Sequence, residues 1–417
     1  MCIICRGENI LHLETLNCSI CESLVSLPDP LPAGLISLNC SGCINLTHLP
    51  TFFPEGLEYT NFWGCISLTR LPEHLPGSLN HLNCMGCTSL TCLPEHLPEG
   101  LNYLNCMGCK SLTRLPDSLP DILRYLNCCG CTSLTQLPSL LPISLQVLNC
   151  KGCDSFVNFP SIQSRGLQKL DCSWCTNLIS LPPLPEGLRE LNCRGCSSLV
   201  SFSDGLPESL NFLNCDGCVS LTSLPDHLPM SLNFLNCDEC ISLTSLPDSL
   251  PVYLRILYLR NCKGITHLPE HLPIGLETLS CRNCTNLTRL SKYLPRGLKN
   301  MSLLECKSLA RIPSPLPETL RELTCSGCLL LLSDDPRILR QIDIKDNHER
   351  HLKIREMKER MLQREQQKWL LMCLGLGCPH SSLKYACTDI LQIVHFYHKD
   401  HLRQEYKQNI HDILNNL

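Results

Sequence analysis

Cysteine is the residue type in this 417-residue chain with the widest chemical range. The sequence holds 34 cysteines, and most of them fall in pairs of the form CxxC, as at Cys106 and Cys109. Thiols at this spacing can bind zinc, form disulfides or carry out redox exchange. They can also pack in a core, because a free cysteine behaves as a small apolar side chain. The secondary structure around each CxxC pair decides which of these roles its thiols can have.

The pairs recur because one phrase of 22 residues, LxxLNCxGCxSLTxLPxxLPxx, occurs fifteen times between Leu13 and Cys328. We number the positions of the phrase as slots one to 22. Every step is 22 residues except that from Cys172 to Cys193, which is 21. A unit this short cannot bury its own apolar face and must stack on its neighbours. The period therefore predicts an elongated solenoid and a binding surface rather than a globular cleft.

Twenty-seven of the cysteines occupy slots six and nine. The start of the phrase alternates as a strand does, so slots one, four and six can point to one interior and slot nine can turn inward just past the strand. Zinc would need about four thiolates for each ion, yet Phe62, Leu259 and Leu303 also occupy slot six and bind no metal. We predict packing cysteines, with no metal and no cofactor.

The stacking also predicts a compartment. Neighbouring strands lie about 4.8 Å apart, which is within the Cα separation that a disulfide tolerates. Columns of equivalent thiols would mispair under oxidising conditions. A reducing cytosol is therefore the expected location.

Slots three, five and seven should face away from the core, on the concave side where repeat proteins usually bind. Slot five is Asn in ten units, and we expect this row to hydrogen-bond from strand to strand. Slots three and seven vary between units and hold aromatic, methionine and acidic side chains of the kind found in protein interfaces. The predicted partner-binding residues are Tyr59, Trp63, His81, Met85, Tyr103, Met107, Tyr125, Phe212, Asp216, Phe234 and Asp238. Two alternatives stay open, because tyrosine suits any strand and an acidic row can be solvated without a partner.

The phrase resembles leucine-rich repeats, whose common segment LxxLxLxxN/CxL is matched by LNYLNCMGCKSL at residues 101–112. The LPxxLP stretch is similar to the short bacterial type found in secreted effectors of the YopM and IpaH families. The resemblance implies an α/β-type solenoid, a horseshoe of about fifteen short parallel strands with an extended convex side. It also implies a protein partner in a eukaryotic host. The resemblance extends over residues 13–332.

The two ends of the chain differ from the repeats. Residues 1–12 form a short lead or a degenerate repeat, with a lone CxxC at Cys2 and Cys5. Residues 13–333 form the solenoid, and residues 334–417 are rich in helix formers and predict a small α-helical C-terminal module that covers the last repeat. The sequence Cys387-Thr388-Asp389 matches the CxD motif of the ubiquitin ligases that follow IpaH-type repeats. The tail of about 82 residues is several times shorter than that ligase domain, so Cys387 is retained only as an alternative catalytic residue.

Composition excludes several classes of function. The net charge is −4, which gives no sign of nucleic-acid binding. No apolar run reaches the length of a membrane span, and the first residues lack the features of a cleaved signal peptide. We predict a non-enzymatic protein-binding solenoid, with secretion into host cytosol implied by the resemblance. The alternatives are a ligase-like effector that uses Cys387 and an intracellular scaffold, and the oligomeric state is left open.

Overall fold

A computed structural model describes residues 2–202, residues 205–331 and Ile338. Each of the fifteen units contributes one three-residue strand, and these strands join in chain order into a single parallel sheet. Two further strands, β9 and β11, form a separate two-stranded parallel sheet. The strands are β1 (Thr15–Asn17), β2 (Ser37–Asn39), β3 (Tyr59–Asn61), β4 (His81–Asn83), β5 (Tyr103–Asn105), β6 (Tyr125–Asn127), β7 (Val147–Asn149), β8 (Lys169–Asp171), β9 (Ser180–Leu181), β10 (Glu190–Asn192), β11 (Ser201–Phe202), β12 (Phe212–Asn214), β13 (Phe234–Asn236), β14 (Ile256–Tyr258), β15 (Thr278–Ser280), β16 (Asn300–Ser302) and β17 (Glu322–Thr324).

The register of the main sheet follows the sequence period. Each strand covers slots three to five, and each residue pairs with the residue one period away, as Leu104 pairs with Leu126. The slot-four residue is buried in every strand, while slots three and five are mostly half-buried or exposed. The core is completed by leucines in slots one, twelve, fifteen and nineteen and by the cysteines. The apolar pattern of one phrase therefore becomes one continuous core.

The slot-nine cysteines form a column of hydrogen bonds. From Cys43 to Cys328, all fourteen thiols donate to the slot-six carbonyl oxygen of the preceding unit, at Sγ···O distances of 2.9–3.2 Å. We call this column the thiol ladder. Burial raises the pKa of the Cys109 thiol to about 12, which keeps it protonated as a donor. The prediction of packing cysteines is confirmed, and the hydrogen bond adds a specific reason for cysteine in slot nine.

Slot eight is a left-handed turn in all fifteen units, with φ between 58° and 74°. Glycine occupies nine of these positions because it adopts this conformation without a steric cost. The other six residues are Ile20, Trp174, Glu239, Asn261, Asn283 and Glu305. The turn directs the slot-eight N–H to the slot-seven carbonyl of the next unit, as Gly86 donates to Met107 at 2.6 Å. It thereby brings slot nine back into the core.

The 21-residue step leaves the sheet undisturbed. Glu190 pairs with Lys169 in the same relative register as in the other units. Cys196 donates to the Cys172 carbonyl at 3.1 Å, although only 24 residues separate them instead of the usual 25. The missing residue is absorbed after slot nine, in the LPxxLP side. The sheet face therefore stays in phase along all fifteen units.

The LPxxLP side is extended, as predicted. It forms β9 and β11 and isolated parallel bridges, such as that between Ser249 and His271. Within the described residues, no helix is both long and apolar enough to cross a membrane. The boundary at residue 334 and the predicted helical module fall almost wholly outside the described residues, so both remain predictions.

We expect Cys109→Ala to lower the free energy of unfolding by about 1–2 kcal/mol, since it removes a fully buried sulfur and a hydrogen bond to the Cys84 carbonyl. Urea denaturation under reducing conditions measures this change. Cys92 is exposed and lies outside slots six and nine, so Cys92→Ala is the matched control and should change stability by less than about 0.5 kcal/mol. Equal stability of the two variants would contradict a role for the thiol ladder.

Gly130→Ala should cost about 1 kcal/mol, because its φ is +70° and left-handed backbone is unfavourable for alanine. The added Cβ would lie 3.8 Å from Gly108, so the cost is conformational and not a clash. Gly130→Asn should cost less, because asparagine tolerates this region. Gly34→Ala is the control, as Gly34 lacks positive φ and has open space around it. The three variants are compared by urea denaturation, and a Gly34→Ala loss as large as that of Gly130→Ala would refute the explanation.

Candidate partner-binding face

Slots three, five and seven lie on the solvent side of the main sheet, which we call the sheet face. In β5, for example, Leu104 is fully buried, whereas Tyr103 before it is half-buried. In-register pairing then repeats each slot as a column across neighbouring units. All eleven residues predicted to bind a partner therefore lie on one face, in two groups separated along the solenoid.

The first group contains a continuous aromatic stack. The ring centroids of Tyr59 and His81 lie 4.4 Å apart, those of His81 and Tyr103 4.1 Å, and those of Tyr103 and Tyr125 4.6 Å. The rings of the last two pairs are nearly parallel, with interplanar angles of 7° and 2°. Burial lowers the pKa of His81, which favours a neutral imidazole between the two tyrosines. The stack holds four rings in one fixed orientation.

The slot-seven residues beside the stack are more exposed. Trp63 is 49% exposed and Met107 is 37% exposed, and Met85 lies half-buried between them. The Asn105 amide lies between the two columns and contacts the Met85 sulfur at 3.9 Å. Together the stack, Trp63, Met85 and Met107 form what we call the aromatic patch.

The asparagine row has a different main role from the one predicted. In eleven units the slot-five Asn or Asp accepts the slot-seven N–H of its own unit through Oδ1, as Asn105 accepts from Met107 at 3.1 Å. Bonds between slot-five side chains of adjacent strands occur from Asn83 to Asn61 and from Asn192 to Asp171. The local bond dominates because slot seven lies beyond the strand, where its N–H has no ladder partner. The row therefore fixes the start of the left-handed turn.

The second group combines an aromatic pair with buried carboxylates. The Phe212 and Phe234 rings stack at 4.5 Å, and Tyr258 meets Phe234 edge-on at 5.9 Å. The sequence predicts exposed acidic residues beside them, but the Asp216 and Asp238 side chains are only 13% and 10% exposed. The expectation of an acidic surface row is therefore wrong at these two positions.

Two arginines explain this burial. Arg194 Nε lies 3.0 Å from Asp216 Oδ2, and Arg260 Nε lies 3.5 Å from Asp238 Oδ2. Each ion pair joins residues one period apart. Opposite charges 22 positions apart in the sequence could therefore have indicated these pairs. The periodic pattern pointed to the two aspartates but not to Arg194 or Tyr258 as members of the group.

Burial raises the pKa of both carboxyls. For Asp238 burial is the main cause and outweighs the Arg260 backbone N–H and guanidinium, so that its pKa rises to about 6. Burial likewise raises the pKa of Asp216, against the opposing effect of Arg194. The Asp238 carboxyl therefore changes its charge near pH 6, and the pKa of Asp216 is shifted in the same direction.

The candidate catalytic residue Cys387 lies outside the described residues, so its role remains a prediction. The absence of a metal stays a prediction, and among the residues that the structure describes one group of thiols is close enough together to bind an ion. The thiols of Cys2, Cys5 and Cys21 lie within 4.8 Å of one another. This cluster lies at the beginning of the solenoid and belongs to neither group on the sheet face.

Comparison with solved structures identifies the architecture. YopM of Yersinia pestis, described as a leucine-rich effector protein, is 26% identical, with a TM-score of 0.51 over 77% of this chain and 89% of YopM. The chain has a leucine-rich repeat fold. The YopM of Yersinia enterocolitica WA-314 is 28% identical over 72% of this chain and 70% of its own, with a TM-score of 0.44. A leucine-rich repeat protein of Bacteroides ovatus is 17% identical over 74% and 87%, with a TM-score of 0.49.

Family models and curated proteins give no match. The predicted leucine-rich repeat solenoid, its parallel strands and its resemblance to YopM are confirmed.

We expect Asp238→Asn to change how stability depends on pH. The folded pKa of about 6 lies above the usual value of 3.8, so the folded state binds this proton more tightly than the unfolded state. The ionised carboxylate therefore destabilises the folded state above pH ~6, and this destabilisation is lost below pH ~4. Acidification from pH ~7 to pH ~4 should therefore raise the free energy of unfolding of the native chain relative to that of Asp238→Asn, by on the order of 1 kcal/mol.

Urea midpoints of both proteins across this pH range test the prediction. Asp117→Asn, at a carboxyl that is exposed on the LPxxLP side, is the control and should follow the native profile. A stability difference between the native chain and Asp238→Asn that does not change with pH would contradict the assigned titration.

Proposed function

We propose that this leucine-rich repeat protein is an interaction scaffold that binds a protein partner on its sheet face, with the aromatic patch as the main contact. The observation that carries the proposal is the stack of four rings beside the exposed Trp63 and Met107. Aromatic and methionine side chains bury large areas on binding and are enriched in the residues that dominate interface energies.

The stack also lowers the entropic cost of binding. Rings held at centroid distances of 4.1–4.6 Å are already ordered in the free protein. A partner that lies across their edges immobilises few new side chains, and more of the contact energy is retained as affinity. A row of tyrosines that only stabilised its own strands would not need the exposed Trp63 alongside.

The second group supplies orientation in this proposal. Phe212 and Phe234 offer apolar area, while Arg194 and Arg260 lie over the two buried carboxylates. Charges arranged in a fixed order along an interface select partner orientation more than raw affinity. A partner that spans both groups would contact the solenoid over many units.

We further propose that the protein is a secreted effector acting in the cytosol of a eukaryotic host. The support is its likeness to YopM, which is described as an effector. A second support is chemical, since the thiol ladder requires cysteines that remain reduced, as they do in cytosol.

Site-specific photo-crosslinking in host cytosol tests the binding proposal. A photoreactive phenylalanine analogue is placed at position 103 in one full-length protein and at position 253 in another. Tyr253 is 67% exposed in slot 22, away from the sheet face. We expect a host protein to crosslink to the chain that carries the analogue at position 103 and not to the chain that carries it at position 253. Crosslinking at position 253 alone would place the contact on the opposite surface.

The affinity of that protein is then measured against two double variants. Trp63→Ala with Tyr103→Ala should weaken Kd at least tenfold, because each removes a residue type that commonly carries about 2 kcal/mol at interfaces. Tyr253→Ala with Tyr293→Ala removes two exposed tyrosines from the LPxxLP side and should leave Kd unchanged. Equal Kd values for both double variants would remove the aromatic patch as the binding site.

The same cytosol distinguishes the ligase alternative. Incubation of the native chain and of Cys387→Ser with ubiquitin-conjugating components, followed by non-reducing electrophoresis, detects any thioester adduct. We expect none in either protein. An adduct that requires Cys387 would make the solenoid a substrate selector for a catalytic tail.

A further inference from the structure

The lead before the first repeat brings two cysteines onto the end of the solenoid. Residues 2–8 form tight turns, held by hydrogen bonds from Arg6 N–H to the Cys2 carbonyl and from Gly7 N–H to the Ile4 carbonyl. The Cys2 and Cys5 sulfurs lie 3.7 Å apart, and the Cys5 sulfur lies 3.6 Å from that of Cys21 in the first unit. The cluster thus joins the lead to the first repeat.

Cys21 is the exception to the thiol ladder. It occupies slot nine of the first of the fifteen units, where the lead lies in place of a preceding repeat. The other fourteen slot-nine thiols donate to the slot-six carbonyl of the preceding unit. The Cys21 sulfur instead accepts a hydrogen bond from the Cys2 N–H at 3.2 Å. Sulfur that accepts a backbone N–H is poised to carry negative charge, as a metal-bound thiolate does.

The dimensions fit a tetrahedral metal ion. Zinc binds thiolate sulfur at about 2.3 Å, which places neighbouring sulfurs about 3.8 Å apart. The observed separations of 3.6 Å and 3.7 Å are close to this value. In the sequence, Cys2 and Cys5 form one CxxC, and Cys18 and Cys21 form a second. Two CxxC pairs in succession are typical of zinc sites.

The crowding of the three sulfurs also favours a cation. The Cys2, Cys5 and Cys21 sulfurs all lie within 4.8 Å of one another. Thiolates this close repel one another unless a cation neutralises them.

We propose that Cys2, Cys5 and Cys21 bind a zinc ion, with Cys18 of the second CxxC as the fourth ligand, and that this ion fastens the lead onto the first unit of the solenoid. Residues 2–5 pack against the hydrophobic core, so the ion would hold an apolar cover in place. Zinc suits the role because it prefers thiolates, has no redox chemistry and contributes binding energy directly to folding. The repeats further along need no metal, since their slot-nine thiols bond to carbonyls.

Zinc content of the folded full-length chain tests the proposal. The protein is purified anaerobically with a phosphine reductant, supplied with zinc, desalted and analysed by native mass spectrometry. We expect one zinc ion per native chain and its loss in Cys2→Ser and in Cys5→Ser. Cys92→Ser removes an exposed thiol outside the cluster and should keep the ion.

Cobalt substitution and hydrogen exchange give independent readouts. Cobalt bound by the cluster should show the intense visible bands of tetrahedral thiolate coordination in the native chain and in Cys92→Ser, but not in Cys5→Ser. Removal of zinc by a chelator should speed amide exchange in residues 2–8 of the native chain and leave Cys5→Ser unchanged.

Three results would overturn the proposal. They are a folded native chain that takes up no zinc, cluster variants that keep the native zinc content, or a disulfide among these cysteines after anaerobic purification. If the cluster variants lose zinc and partner affinity does not change, the result supports zinc binding at the lead. The aromatic patch is then tested only by the crosslinking and affinity experiments.

Discussion

The constraint on which the structure depends is that the polar backbone groups beside the core need partners, and many of these partners lie in the adjoining unit. A slot-six carbonyl beyond the strand can be reached by the slot-nine thiol of the next unit, and fourteen cysteines make this bond. Slot nine must therefore be small enough for the core, able to donate one hydrogen bond, and free of further polar atoms that would need partners. Cysteine meets all three conditions. The left-handed turn at slot eight is what brings that thiol inward, so the turn and the cysteine depend on each other.

The same period organises the surface. Rings stack on rings 22 residues away, and the ion pair between Arg194 and Asp216 joins residues 22 apart. A solenoid face is thus a set of columns, and each side chain is supported mainly by its equivalents in the two flanking units. Substitutions along one column should interact with each other, whereas substitutions in different groups should act independently.

Much of the fold could be predicted from the sequence because the phrase repeats without drift. The period fixed the register, and the alternation of Leu104 and Asn105 showed which slots face the core. The site was less predictable. Periodicity assigns a side chain to a face, but it does not show that Asp238 folds back beneath Arg260 and becomes buried. It also hides the left-handed turn wherever Trp174 or Glu239 replaces glycine, since neither residue type signals positive φ. The cluster at Cys21 was missed because the repeat made its CxxC look like all the others.

The thiol ladder also places buried cysteines in every unit after the first, so that the exposure of a given cysteine reports the opening of its own unit. Each unit carries thiols that are shielded while it is packed, as Cys84 and Cys109 are fully buried. A unit that opens exposes its own sulfurs and those facing it, while distant units stay protected. The Cys215 and Cys237 sulfurs lie only 3.4 Å apart, so an oxidant that reached them could lock two units together. The reactivity of individual cysteines should therefore show where the solenoid opens. The stacking that stabilises the chain also protects its thiols from oxidants.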